Sequence, residues 1–209
     1  LGVINIVAKD EGEPLESERF GKRAKEQLVD AQRSLSRKER DSNRRKCQVE
    51  VVARRHRRVT NQRRNAAHQL SRQLVNEYDF IAIEKLVIKN MTKAPKPKAD
   101  PSKLGTYLPN GAARKAGLNR SIHDAGWGQF VAMILYKAAC AGREVVVVDP
   151  RYTSQRGVEC GHRDVSNRAS QAVFRCRACG HEDHADRNAA RNILRAGRAQ
   201  RELSRAGSK

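Results

Sequence analysis

The chain has 209 residues and a formal net charge of +20, with 43 Lys and Arg against 23 Asp and Glu. That length suits one compact domain with at most a small insert, and so basic a chain calls for a polyanionic partner, either nucleic acid or an anionic membrane. No apolar run reaches the roughly 18 residues that span a bilayer and the first residues show no signal-peptide pattern, so neither membrane insertion nor secretion is expected.

Residues 2–8 (GVINIVA) are apolar and β-branched, as in a buried strand. Asp10-Glu11-Gly12-Glu13 reads as a turn, followed by a short second strand before Phe20. From Lys22 to Arg72 there are 17 Lys or Arg against 5 Asp or Glu. The sparse apolar residues (Leu28, Leu35, Val49, Val52, Val59, Ala66, Leu70, Leu74) fall at helical intervals, broken at Ser42-Asn43. Two helices are predicted, about 22–41 and 44–77, forming a hairpin with a wide basic face laid over the core. A merely solvated face is the alternative. Charge so strongly of one sign favours phosphate-backbone binding, with Arg54, Arg55, Arg57, Arg58, Arg63 and Arg64 as the candidate contacts.

Asp79 to Lys85 (DFIAIEK) reads as a strand, with Ile81 and Ile83 on one face and Phe80, Ala82 and Glu84 on the other. Glu84, at its end, is either a solvated edge charge or one of a set of carboxylates. Residues 86–119 are loop-rich, and the Pro/Lys segment from Thr92 to Lys103 reads as an extended, mobile linker. Ser121, with Asp124 at capping-box spacing, is predicted to open a helix to about Ala141. Its buried side would be Trp127, Phe130, Val131, Ile134, Leu135 and Ala138. Glu144 to Asp149 (EVVVVD) reads as a strand buried on both faces. Strands alternating with helices indicate an α/β fold, a sheet sandwiched between helices.

Three of the five cysteines fall between Thr153 and Leu194. Five cysteines in such a chain suggest metal ligands or reduced thiols rather than a disulfide framework. Cys47 and Cys140 stand alone and read as buried or half-buried small side chains. Cys176 and Cys179 form C-x-x-C, a spacing that turns two thiolates toward one tetrahedral zinc. Cys160-Gly161 looks like half of a second knuckle whose other cysteine would stand at Gly157. The stretch therefore reads as a structural zinc ribbon with three thiolates, Cys160, Cys176 and Cys179. His162, His181 and His184 are the candidates for the missing ligand. Asp186 then opens a helix through Leu194, where it could serve as the N-cap, and the basic segment from Arg195 to Lys209 reads as a frayed tail.

Taken together, LGVINIVA, IAIEKLVIKNM, SIHDAGWGQF, VVVVDPRYTSQ, the cysteine ribbon and HADRNAARNIL closely resemble the C-terminal half of the TnpB (OrfB) proteins. These are insertion-sequence transposases understood as RNA-guided DNA nucleases. The resemblance implies an RNase H-like (RuvC-type) mixed sheet with a long basic helical hairpin and an inserted zinc ribbon. Its division would be a nuclease core over 1–152 carrying the hairpin at 22–77, a ribbon at 153–184, a final core helix at 185–196 and a basic tail at 197–209. It implies DNA and guide RNA as partners and a cytoplasmic, nucleoid-associated prokaryotic protein. Its cofactors would be structural Zn²⁺ and nuclease Mg²⁺.

The family's active site uses three carboxylates. Glu84 matches the second and Asp186 the third. The first belongs to a Gly-(Ile/Val)-Asp-Leu-Gly pattern whose Asp falls immediately before Leu1, and Asp10, at the other end of that strand, cannot replace it. With two of three ligands for a paired Mg²⁺ site, the expectation is a truncated nuclease that binds nucleic acid and cuts poorly. The alternatives are a binding-only protein and a non-functional fragment of a longer transposase. The family's upstream half, which grips guide RNA and the target-adjacent motif, is not among these residues, so sequence selection by this chain alone is not expected.

Overall fold

A computed structural model describes residues 5–7, 9 and 15–207. They form a mixed helix and sheet fold with the order β1 (Asn5–Val7), β2 (Leu15–Glu16), α1 (Phe20–Ser36), α2 (Asn43–Glu77), β3 (Phe80–Glu84), α3 (Ile88–Met91), β4 (Lys98–Ala99), β5 (Tyr107–Leu108), α4 (Ala112–Ala125), α5 (Trp127–Cys140), β6 (Glu144–Val148), β7 (Val173–Arg175), β8 (Glu182–His184) and α6 (Ala185–Ala206). Residues 2–4 and 8 of the expected first strand, and the turn expected at 10–13, lie outside the described residues. The chain divides into two compact units, one drawn from 1–17, 72–87 and 134–209, the other from 18–71 and 88–133.

In the first unit β3 and β6 pair in parallel, with Phe80 opposite Glu144 and Glu84 opposite Val148. Helix α6 packs on the face that carries Phe80, Ala82, Val146 and Val148. The approach is close: a Cβ on Gly197 would stand 2.7 Å from the Ala82 Cβ and 3.5 Å from Val148 Cγ2. Beyond Gly197, Arg201 lies over the Phe80 ring at 4.5 Å, and Arg201 and Arg205 reach the Glu144 carboxylate at 3.7 and 3.2 Å. The helix thus runs antiparallel to the strands. These contacts correct the expected frayed tail: the residues from Arg195 onward continue the helix to Ala206 because they have the sheet to bind. The four valines of β6 are not buried on both faces either. Val147 is 40% exposed, since β6 has a neighbouring strand on one side alone among the described residues.

In the second unit α1 and α2 lie side by side as an antiparallel hairpin. Arg45 donates to the Leu35 carbonyl (3.0 Å), Gln48 to that of Ala31 (3.1 Å) and Arg55 to the Gln27 side chain (3.0 Å). The Ser42 hydroxyl accepts the Arg45 N–H and starts α2. Helix α1 has no capping side chain of its own: the residue before it, Arg19, sits in the left-handed region at φ 46°. The cap comes from Asp124, which accepts Gly21 N–H at 2.8 Å and Lys22 N–H at 3.2 Å and is bound by Arg63 Nε at 2.7 Å.

Asp124 is therefore not in a capping box with Ser121. Both lie inside α4, which starts at Ala112 within the stretch expected to be loop and ends at Gly126, left-handed at φ 63°. The single helix expected over 121–141 is two helices. On α5 the buried side is Trp127, Phe130, Met133, Ile134, Lys137 and Ala138, while Leu135 is 41% exposed. The Pro/Lys segment carries a short antiparallel hairpin, β4 with β5. Cys47 and Cys140 are both exposed rather than buried.

Candidate metal centres and nucleic-acid interface

Two short sequences, Gly157-Val-Glu-Cys160-Gly-His162 and Cys176-Arg-Ala-Cys179-Gly-His181, fold into the same turn. Gly157 N–H donates to the His162 carbonyl at 2.9 Å, and Cys176 N–H to the His181 carbonyl at 2.9 Å. Gly161 N–H closes back on Gly157 O at 3.0 Å, and Gly180 N–H on Cys176 O at 3.0 Å. Each turn needs a left-handed residue, supplied by Gly161 (φ 72°) and Gly180 (φ 74°). The two knuckles face each other and bring together the Sγ atoms of Cys160, Cys176 and Cys179, all within 4.8 Å of one another, with Cys160 and Cys176 at 3.4 Å. Three soft donors at this spacing suit a thiophilic ion such as Zn²⁺.

The Cys176 thiol is held down to about 7, first by the backbone N–H of Cys179 and further by that of Ala178, against the opposing effect of burial. For Cys179 the N–H of His181 favours the thiolate, but crowding against the Cys160 and Cys176 thiols outweighs it and pushes the group up. One proton of the cluster is thus poised to leave near neutral pH, as metal binding requires.

No histidine joins the three sulfurs among the described residues. His184 is the N-cap of α6, its Nδ1 accepting the Asp186 N–H at 3.3 Å. His181 Nε2 is buried with no hydrogen-bond partner.

Because His184 performs the capping, Asp186 is not the N-cap. It lies in the first turn of α6, half-buried, one oxygen 3.3 Å from the Arg168 guanidinium. Glu84 is the last residue of β3 and also half-buried. Along the strand direction both carboxylates lie toward the same end of the layer. Glu84 is about 7 Å beyond Ala82 at the rise of a strand, and Asp186 up to about 16 Å from the Gly197 crossing at the rise of a helix. Hard oxygen donors of this kind suit Mg²⁺.

Of the candidate arginines, Arg54, Arg57, Arg58 and Arg64 are exposed on α2, Arg55 is half-buried against Gln27, and Arg63 is engaged by Asp124. Arg54, Arg57 and Arg58 line a shallow depression of about 510 Å³ with Asn61, Gln62 and Asn65. A groove of about 450 Å³ between α1 and α2 joins Arg23, Arg54, Arg55 and Arg58 over an apolar floor of Phe20, Leu28, Val51 and Val59. Cationic rims over apolar floors suit a phosphate backbone with its bases.

Sequence reasoning missed three buried asparagines. Asn188 accepts Val158 N–H (3.1 Å) and donates to Arg156 O (2.9 Å), and Asn192 donates to Thr153 O (2.9 Å) and Arg156 O (2.7 Å). Asn167 donates to Gln155 O (2.9 Å) and accepts Arg177 N–H (2.8 Å), tying one knuckle to the other. The spacing of Asn188 and Asn192, one helical turn apart on an otherwise small-residue face, was the available signal.

Known proteins resemble the chain along most of its length. Residues 1–94 match the OrfB profile of IS605 elements, described as "Probable transposase", and residues 127–193 match a profile described as "Cas12f1-like, TNB domain". The chain is 38% identical, over 95% of its length, to the protein named "Putative RNA-guided DNA endonuclease InsQ" in Escherichia coli (strain K12). It is 34% identical, over 99% of its length, to a "Putative RNA-guided DNA endonuclease" of Streptomyces pristinaespiralis. It spans about half of these relatives, 48% of each. A cryo-EM structure of a Cas12f1–sgRNA–target DNA complex superimposes with a TM-score of 0.56 over 92% of this chain and 47% of that one, at 16% identity, which shows a shared fold. The chain belongs to the TnpB/OrfB family of insertion-sequence transposases.

Proposed function

We propose that these residues are the nuclease segment of an RNA-guided DNA endonuclease, RNase H-like (RuvC-type) in fold, which grips nucleic acid and cuts poorly by itself. In this reading Glu84 and Asp186 are two of three Mg²⁺ ligands, and the cysteine cluster is a zinc ribbon set before the last helix. The arginines of α2 face the phosphate backbone of DNA or guide RNA. The observation that carries it is the disposition of the two acids: Glu84 ends the strand whose face α6 covers, and Asp186 opens α6 with its capping duty taken by His184.

Glu84 and Asp186 would help to hold paired Mg²⁺, which would supply activation of a water and stabilisation of the leaving oxygen of a phosphodiester. The chain's own part is to hold two carboxylates toward one end of a rigid layer and to offset charge. Arg168, beside Asp186, offsets that acid's charge and orients it. Mg²⁺ sheds its water reluctantly and relies on few carboxylates, so each of the two acids counts.

The test is cleavage of a guide-matched DNA target with guide RNA and Mg²⁺. These 209 residues alone should cut little, and the same chain preceded by a Gly-Ile-Asp strand start and the family's guide-binding half should cut. Glu84→Gln should then abolish the gain. Strong cutting by the 209 residues would overturn the impairment. Failure of the extended chain to cut would favour the second reading, a binding-only protein, for which the basic groove of α1 and α2 speaks.

A further inference from the structure

The two knuckles are built alike but furnished differently. The hydrogen bonds that shape the Cys176 turn recur at Gly157 with matching lengths, 2.9 and 3.0 Å in each, so Gly157 occupies the backbone position that bears a thiolate in its twin. A Cβ placed on Gly157 would stand 3.3 Å from the Cys176 Sγ and 3.6 Å from the Cys160 Sγ, which directs that position at the metal cradle. The turn is kept and the donor is gone. Among the described residues no imidazole or carboxylate takes its place within reach of all three sulfurs. Three protein ligands with a fourth position left open is the arrangement in which zinc carries an exchangeable ligand, whereas closed structural sites use four.

We propose that the metal of this ribbon has an open fourth coordination position over Gly157, which accepts a small exogenous donor, water at rest and a low-molecular-weight thiol by exchange. The proposal rests on the reading that the cysteine cluster holds a metal. Access comes through Cys160 and Cys179, both exposed, while Cys176 and Gly157 form the buried floor. A Cβ at Gly157 would already meet the Cys176 Sγ at 3.3 Å and the Cys160 Sγ at 3.6 Å, which limits the donor to a slender group. Exposed Arg156 and Arg177 flank Gly157 and Cys176 in the chain and favour an anionic donor. In the exchange a thiol gives its proton to solvent and coordinates as thiolate while the bound water leaves. No oxidation or reduction is involved.

The experiment loads the purified full chain with Co²⁺, whose visible absorption reports the donors around the ion, and titrates it with 2-mercaptoethanol while metal retention is checked by gel filtration. The wild-type spectrum should change saturably with the metal retained. Gly157→Cys should show the thiol-saturated form of spectrum from the start, no longer respond, and bind metal at least about tenfold more tightly, a change comparable to that felt on altering even an outer-shell partner. His181→Phe should leave the spectrum unchanged. A wild-type spectrum indifferent to thiol, or one altered by His181→Phe, means that the protein already fills the fourth position, and overturns the proposal. Failure to take up Co²⁺ at all would remove the metal reading itself, a result distinct from uptake with an unresponsive spectrum.

Discussion

At Asp124 one side chain serves three partners: the free N–H groups of Gly21 and Lys22 in the first turn of α1 and the Arg63 guanidinium. The carboxylate is 11% exposed, so water does not replace what is lost when it is removed. Asp124→Ala should lower unfolding stability by about 2 kcal/mol, the scale of a lost cap combined with a charge-assisted bond, measured by denaturant titration. The same geometry separates two neighbouring arginines. Arg63→Gln should behave as a stability mutation with little change in the salt dependence of nucleic-acid binding, whereas the exposed Arg64 should affect binding and not stability. Only the contact with Asp124 distinguishes them; in the sequence they are adjacent and alike. Gly157 is the opposite case, because the spacing C-x-x-C read backwards from Cys160 identified its place before any coordinates.

At the scale of elements, α6 is where the sequence was most misleading. Gly197 and the arginines after it resemble a tail, yet the glycine is the point of closest approach to β3 and the arginines bind Phe80 and Glu144. A glycine that permits packing and one that ends a helix look the same in one dimension. The start of the helix is pinned by Asp183, whose side chain is 2% exposed and takes Arg187 Nε at 2.6 Å and Arg191 at 3.4 Å. Burial opposes this carboxylate, but Arg187, the His184 N–H and Arg191 outweigh it and hold its pKa below 3.8. A depressed folded-state value means the stabilisation is fully present above the unfolded pKa and fades as pH falls through the folded one. Asp183→Asn should therefore cost about 2 kcal/mol at neutral pH, and the gap between variant and wild type should close as pH drops below 3.8, followed by acid unfolding of both.

For the whole molecule, charge is the property that composition describes best. The stretch from Lys22 to Arg72 holds 17 cations against 5 anions, more than half of the net +20, and it forms the α1–α2 hairpin with its arginine-rimmed groove. Binding of single-stranded nucleic acid should weaken steeply with salt, each phosphate contact contributing about 0.7 to the slope of log K against log salt. Replacing Arg54, Arg55, Arg57 and Arg58 by Gln should flatten that slope by up to about 3. An unchanged slope would mean that the contacts lie on other elements. Within the described residues no helix is long and apolar enough to cross a membrane.

The sequence by itself determined what local periodicity and spacing can carry: the strand at Phe80–Glu84 and the alternation that puts Glu84 on the α6 face, the paired basic helices, and the three thiols with a glycine in the fourth place. Family membership was legible for the same reason, since the motifs are short and contiguous. Tertiary structure decided what depends on partners far away in the chain. Asp124 caps a helix 103 residues earlier in sequence, Asn167 ties the Cys160 knuckle to the Cys176 knuckle, and Asn188 and Asn192 clamp the first knuckle from within α6. The physical reason is common to all three: a free N–H or carbonyl at a helix end or turn demands a partner, but the demand does not say from where along the chain that partner will come.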